Sequence, residues 1–399
     1  LSIRTSSIVG HESKVQLSGN RRALYADLGH TSLAAPLGRS CRPTGRIVTS
    51  DQIVDLATLR QVSYRELAEH GSYVSDAIKI DAYRRALENL VRPDDVVIDM
   101  GCGTGLLGLL ALEAGASKVI AVDSGPILEL AREAFESNGY GPRVECHRAR
   151  SSDVTLPTPA DVLVYDQIGG FAHEYGLTHD VRDLVDRGVL KPDALIIPGS
   201  FDLYVAPVSA PAEKDPLGAW TGSRSGLDLS PFHRSAANSP FQLTANAEWL
   251  LGPGAFAAHL DAGDEDNISF DVTSRVHTAG SMTGILGYMR AHLDPDGGVS
   301  LTNDPTDPGR FRRWHVYHPV EPAIQVDAGD DVTMRFDINQ RGHLTTWQVT
   351  VNGEKRSASQ FFGDFLDPLV MFDPPGDRVP PMNRAGQCRR ATLDAIAAG

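Results

Sequence analysis

The stretch Val96-Val97-Ile98-Asp99-Met100-Gly101-Cys102-Gly103-Thr104-Gly105 constrains this chain more than any other. Its apolar first half fits a strand covered on both faces. Gly101, Gly103 and Gly105 then allow a tight turn and a close backbone approach to a ligand, because no Cβ stands in the way. The apolar run from Leu106 to Leu112 reads as a helix whose N-terminus faces whatever the turn holds.

Two nucleoside cofactors compete for such a turn. A dinucleotide fingerprint asks for a glycine one position after Gly105, where this chain has Leu106. The spacing here is G-x-G-x-G, with Asp99 just ahead of it. The next strand, Lys118 to Val122, ends in Asp123, which is placed to accept hydrogen bonds from both ribose hydroxyls. Together these favour S-adenosylmethionine (SAM) over NAD; a nucleotide-like fold without a cofactor is the remaining alternative.

A chain of 399 residues is long for one domain, so two are expected. Its 51 acids against 37 bases give a net charge of −14, which argues against nucleic acid or an anionic membrane as partner. The charge would draw in a basic substrate, or serve only solubility. Cys41, Cys102, Cys146 and Cys388 are scattered without metal-ligand spacing, so no metal site is predicted and a reducing cytoplasm is. Neither a bilayer-spanning apolar run nor a signal segment is visible, and the chain reads as soluble.

Residues 1–50 form an N-terminal extension without periodicity, readable as a tail, a partner-binding arm or a short hairpin. Residues 51–92 read as a helical lid: Ile53, Leu56, Leu59 and Leu67, then Ile78, Tyr83, Leu87 and Val91, recur at helical spacing until Pro93. Over 93–205 strands alternate with helices (Val96–Asp99, Lys118–Val122, Arg143–His147, Asp161–Tyr165, Ala194–Ile197), the rhythm of a doubly wound parallel α/β sheet. Its ligand crevice is expected at the carboxyl ends of the strands. Residues 206–373 carry period-two runs at Ile268–Val272, Val332–Ile338 and Thr345–Val351, with turns at Pro295-Asp296-Gly297-Gly298 and Asn352-Gly353, and read as antiparallel β. The tail 374–399 is peripheral, with a short helix over Ala391–Ala397.

With the parts in this order, the chain resembles a protein arginine N-methyltransferase over about Ala57 to Gly363: a Rossmann-like SAM-binding sheet followed by an antiparallel β-barrel. His70-Gly-Ser-Tyr-Val-Ser-Asp76-Ala-Ile-Lys79-Ile-Asp-Ala-Tyr83 resembles the family's helix before the SAM fold. The family has an arginine at the Lys79 position that binds the SAM carboxylate, a role Lys79 can fill as a point charge. Val189 to Ser200, then Leu203 to Pro207, resembles the last sheet strand and the step into the barrel. Trp220 through Ser230 resembles the start of the family's dimerisation arm, here about 217–250, and implies a homodimer. At the adenine end, Ser152 stands at the position of the family's acid, with Asp153 beside it.

The acceptor half departs further from the family. The resemblance implies two glutamates gripping a guanidinium, since paired carboxylates fix a planar fork; here the loop runs Tyr165-Asp166-Gln167-Ile168-Gly169-Gly170-Phe171-Ala172-His173-Glu174. Asp166 takes the first position and Glu174 is the candidate second. His173 is a candidate general base for a less basic acceptor. The family's Thr-His-Trp triplet corresponds to Arg312-Arg313-Trp314, which adds positive charge near the acceptor and favours an acceptor carrying a carboxylate. Of the lid's aromatic positions, one pair reads Arg60-Gln61 and another is kept as Tyr64.

The resemblance implies SAM-dependent methyl transfer. Asp99, Gly101, Gly103, Gly105 and Asp123, with Lys79, Ser152 and Asp153, would hold the cofactor. Asp166, Glu174 and His173 would be catalytic, with Tyr64, Arg313 and Trp314 on the acceptor. The acceptor is a guanidine of a protein, peptide or arginine-like metabolite. The alternatives are N- or O-methylation of a non-guanidine small molecule or peptide, and a non-catalytic SAM-binding regulatory or scaffold subunit.

Overall fold

The computed structural model describes residues 46–49, 52–55 and 62–363, except Tyr175, Gly222, Ser225, 265–266 and 340–343. Most of the N-terminal extension, Leu59, Arg60-Gln61, the tail with its helix over 391–397, and the Tyr64 side chain lie outside the described residues. The chain divides into two compact units, Leu1–Leu56 and Ala57–Gly399.

In the first unit β1 (Arg46–Thr49) pairs antiparallel with β2 (Gln52–Asp55), with Ile47 opposite Val54 and Val48 opposite Ile53. A helix starting near Ser50 is therefore corrected. Four β-branched residues paired across two strands favour the extended form over the helix that the spacing of Ile53, Leu56 and Leu59 suggests.

In the second unit helix comes first. Ser63 caps α1 (Tyr64–Val74): Glu66 N–H donates to Ser63 Oγ at 3.1 Å and Ser63 N–H to Glu66 Oε2 at 3.2 Å, a reciprocal capping box. Asp76 caps α2 (Ala77–Leu90), which buries Ala82, Tyr83, Ala86 and Leu87. Leu67 and Ile78, read as part of the apolar stripe, are 41% and 44% exposed.

The parallel sheet follows as β3 (Val96–Met100), α3 (Leu106–Ala114), β4 (Lys118–Asp123), α4 (Ile127–Ser137), β5 (Val144–Arg148), β6 (Ala160–Tyr165), α5 (Leu177–Asp186) and β7 (Leu190–Ile197). Its strands lie in the order β5-β4-β3-β6-β7, all parallel. The order reverses between β3 and β6, so the crevice of a doubly wound sheet opens where the glycine turn and Asp166 leave those two strands. Val97, Ile98, Val119, Ala121 and Val164 are buried, as strands covered on both faces require.

The antiparallel half begins earlier than residue 206, because β8 (Ser200–Val208) already pairs with strands from that half. After it come β9 (Ser223–Arg224), β10 (Leu227–Asp228), α6 (His233–Ala237), β11 (Phe241–Leu243), β12 (Ala255–Asp261), β13 (Asn267–Arg275), β14 (Gly280–His292), β15 (Ser300–Thr302), β16 (His315–Val326), β17 (Asp331–Asn339), β18 (Leu344–Val351) and β19 (Glu354–Phe362). One sheet runs β11-β16-β14-β8-β12 with β15 on β14; the other runs β13-β17-β18-β19. The two sheets share a core, where Phe270 stacks on Phe336 at 5.0 Å and Trp347 Nε1 donates to Pro319 O at 2.8 Å. Asn352 and Gly353 have φ of 49° and 83°, the left-handed pair that a two-residue hairpin turn needs.

Candidate functional site

The cofactor end is built by β3, its turn and β4. Gly101, Gly103 and Gly105 have φ of 67°, 51° and 76°, a region L side chains rarely occupy. A Cβ on Gly103 would lie 2.7 Å from the His70 ring, and one on Gly101 2.7 Å from Gln167, so the turn is closely covered as well as left-handed. Asp123 ties it down from β4: Oδ2 accepts from Gly103 N at 2.9 Å and Oδ1 from Gly125 N at 2.7 Å. Each oxygen retains a lone pair, and the residue is only half-buried, so it still fits a ribose diol.

Asp99 has a different place from the one the sequence suggests. It is 1% exposed, and Oδ2 accepts from Gly108 N at 2.8 Å. Burial pushes its carboxyl up to about 7, against the pull of that hydrogen bond. It fastens the first turn of α3 from behind. Ser152 and Asp153 are exposed in a short 3-10 turn, hydrogen-bonded to each other at 3.3 Å. The neighbouring Ser151 hydroxyl donates to Asp180 Oδ2 at 3.0 Å.

At the acceptor end the surprise is Asp166. Its carboxylate pairs with the Lys79 ammonium on one oxygen, while Arg313 Nη2 donates to the other at 2.7 Å and to the Asp166 carbonyl at 3.0 Å. Lys79 is 4% exposed and Arg313 8%. Burial lowers the Lys79 ammonium from its usual range, while Asp166 pulls it back. The Arg313 guanidinium also lies 5.6 Å from the Tyr73 ring centroid, 5.7 Å from Phe311 and 5.1 Å from Trp314, an aromatic box of the kind that holds a cation. One of the chain's own guanidinium groups thus occupies the acid that the sequence assigns to a substrate. Arg312 is exposed, so only one of the two arginines turns inward. Lys79, expected on the cofactor carboxylate, instead braces Asp166.

Glu174 is 4% exposed and closes its own loop: Oε1 accepts from Gly170 N at 2.6 Å, and Oε2 from Phe171 N at 3.0 Å. The carboxylate lies so close to Gly169 that a Cβ there would come within 2.4 Å of it. His173 is buried against Phe171, with the ring centroids 5.3 Å apart, and burial lowers its pKa. Glu174 and His173 thus make their described contacts within their own loop. The chain brings together Asp166, Lys79, Arg313 and Trp314, and beside them the glycine turn with Asp123, Gly101 lying against Gln167 of the Asp166 loop.

Three contributors were not assigned a role from the sequence. Asn303, fully buried, donates to Gly170 O at 2.9 Å and to Trp314 O at 2.8 Å, while its Oδ1 accepts from Met289 N at 2.8 Å. Asp76 caps α2 with one oxygen and with the other accepts from Arg312 N at 2.6 Å, tying the barrel loop to the helix. Tyr73 gives its ring to both Lys79 and Arg313. A lone Asn in a loop carries no signal of this kind, whereas Asp76 and Tyr73 lie within the helix that carries the resemblance.

The family described as Ribosomal protein L11 methyltransferase matches residues 84–171, the glycine turn and the first strands of the parallel sheet. "Probable protein arginine N-methyltransferase 6" of Arabidopsis thaliana is 31% identical over 183 residues, 45% of this chain and 42% of that protein. "Protein arginine N-methyltransferase 6" of Xenopus tropicalis is 28% identical over 319 residues, 75% of this chain and 93% of that protein, so the likeness runs through both halves. Over this span the chain is similar to proteins named protein arginine N-methyltransferase. For the first relatives the match spans about half of their length. Among solved structures, a chain of the Trypanosoma brucei PRMT1 enzyme-prozyme heterotetrameric complex with AdoHcy aligns with a TM-score of 0.64 at 20% identity, covering 75% of this chain and 99% of that one. At that identity the likeness speaks for the fold, a Rossmann-like sheet followed by antiparallel sheets. No helix among the described residues is long and apolar enough to cross a membrane.

Proposed function

We propose that this chain is a SAM-dependent methyltransferase acting on a guanidine nitrogen of a protein, peptide or arginine-like metabolite. The observation that carries it is the meeting, at the carboxyl edge of one parallel sheet, of the Gly101–Gly105 turn, Asp123 and the Asp166 loop. The turn fits the cofactor because its three left-handed glycines leave the backbone bare beside a carboxylate with lone pairs to offer. SAM, when bound, supplies an electrophilic methyl on a sulfonium. The chain's part is to hold an acceptor in line, with reacting atoms about 3 to 3.5 Å apart, and to shape the surrounding charge. Asp166 would fix the acceptor guanidinium once Arg313 moves aside, and Trp314 would wall the site. The carbonyls of Gly170 and Trp314, held by Asn303, keep the two walls in register.

A second reading has its own observation. With Arg313 already on Asp166 and Glu174 bound to its loop amides, the site suits an N- or O-acceptor that carries a carboxylate for Arg313. A homodimer through the 217–250 arm follows by analogy with the family; Leu227 and Phe232 there are 67% and 56% exposed. The free thiols of Cys102, buried, and Cys146, half-buried, suit a cytoplasmic setting.

The test is titration calorimetry of the full chain with SAM and with its demethylated product, repeated on Asp123→Ala, followed by a labelled-methyl screen of arginine peptides, small guanidines and carboxylates. Binding to the wild type that is lost in the variant, with label on a guanidine, supports the reading. Absence of SAM binding to the wild type overturns it, and binding without methyl transfer to any class returns the chain to the regulatory alternative.

A further inference from the structure

Far from the glycine turn along the chain, three adjacent strands place two imidazoles around one carboxylate. Asp202 on β8 lies opposite His259 on β12, and on the other side of β8 comes β14 with His292. His259 Nδ1 is 2.7 Å from Asp202 Oδ1, His292 Nε2 is 2.9 Å from Asp202 Oδ2, and all the ligand atoms lie within 4.8 Å of one another. The other nitrogen of His259 faces Asp261 Oδ1 at 3.4 Å. Arg290, opposite Asp202 on β14, hydrogen-bonds through its guanidinium to Ser300 Oγ at 3.3 Å.

We propose that Asp202, His259 and His292 bind a first-row divalent metal ion of the zinc class. Two imidazoles and a carboxylate are a common donor set for such ions, which take nitrogen and oxygen ligands at about 2.0 to 2.2 Å. Ligand atoms around a tetrahedral ion at that distance stand about 3.3 to 3.5 Å apart. The carboxylate contacts here, 2.7 and 2.9 Å, are about 0.4 to 0.8 Å shorter, so the side chains would rotate apart to admit the ion. Asp261 stands where a carboxylate commonly orients a ligating histidine and raises its basicity. The three strands supply a rigid base, and the half-exposed His259 leaves a path from solvent and a fourth position for water. The site adjoins the crossing from the parallel to the antiparallel half: Gly199 N–H donates to His292 O at 2.9 Å, and Ala262 N–H to Gly199 O at 2.8 Å. Metal there would staple that crossing and is separate from the methyl-transfer chemistry.

The experiment is titration calorimetry of Zn2+ into the chelator-treated full chain, with thermal melts in parallel, for the wild type, His259→Ala, His292→Ala and Asp202→Asn. The expected result is one equivalent bound by the wild type, at least ten-fold weaker binding in each variant, and a zinc-dependent rise in Tm confined to the wild type. His259→Ala removes an exposed ring, so it tests the site even where Asp202→Asn disturbs the sheet. No zinc binding by a folded wild type, or equal binding by the wild type and His259→Ala, overturns the proposal.

Discussion

Arg313 is the residue on which the acceptor question turns. Its guanidinium lies 2.7 Å from the acid that a substrate guanidine would need, inside a box of three aromatic rings. A substrate guanidinium must displace it, so Arg313→His, which restores the ring that the family carries there, is expected to raise kcat/KM on a guanidine acceptor by about ten-fold, roughly 1.4 kcal/mol of transition-state stabilisation. A fall in that ratio, with turnover of a carboxylate-bearing acceptor lost, would instead favour the second reading. Asp166→Asn should abolish guanidine turnover while leaving SAM binding within a few-fold; unchanged turnover in a steady-state assay sinks the clamp. Gly103→Ala puts a Cβ 2.7 Å from His70 on a left-handed residue. Its expected effect is loss of SAM affinity by more than ten-fold in calorimetry, because the turn must open and the strain of a misplaced φ is about 1 to 3 kcal/mol.

At the scale of elements, legibility in the sequence followed the range of the forces involved. The strand-turn-helix at Val96 to Leu112 could be read because buried strand, glycine turn and helix each have local signatures. The capping box at Ser63 is local too; Ser63→Ala should cost about 1 kcal/mol and lower Tm by a few degrees in a thermal melt. The hairpin at Arg46–Asp55, one of three readings open for residues 1–50, runs on to Asp55 because pairing of β-branched residues across the turn outweighs the helical spacing that begins at Ile53. At the site, both loop acids were found, but their partners were not. Glu174 meets Gly170 and Phe171 only once its loop closes, and Asp166 meets Arg313 from 147 residues further along the chain. The Asp202, His259 and His292 cluster was hidden for the same reason, since its members sit on three strands with no motif spacing.

For the whole molecule, buried histidines set the response to acid. Burial pushes His318 down to about 3, with His173 adding to the effect, and burial also lowers His173 and His315. Each of these pKa values is depressed on folding, so the unfolded chain binds more protons between about pH 3 and 6.5, and stability rises with pH across that window. Asp99, raised to about 7, acts with the opposite sign, as do Asp180 and His259, whose pKa values are also raised. The share of the three buried imidazoles is a Tm that falls on acidification from pH 7 to pH 5. His318→Phe, among the rings of Phe336 and Trp347, should flatten that slope; an unchanged slope would place the sensitivity elsewhere.

One buried amide bears on how such a protein could be re-engineered. Because Asn303 holds the carbonyls of Gly170 and Trp314 together, the two lips of the acceptor mouth, though distant in sequence, are a single unit of inheritance. A loop borrowed from a relative on one side alone would arrive without its counterpart. New acceptor specificity in this scaffold would then come from exchanging both lips and the asparagine at once.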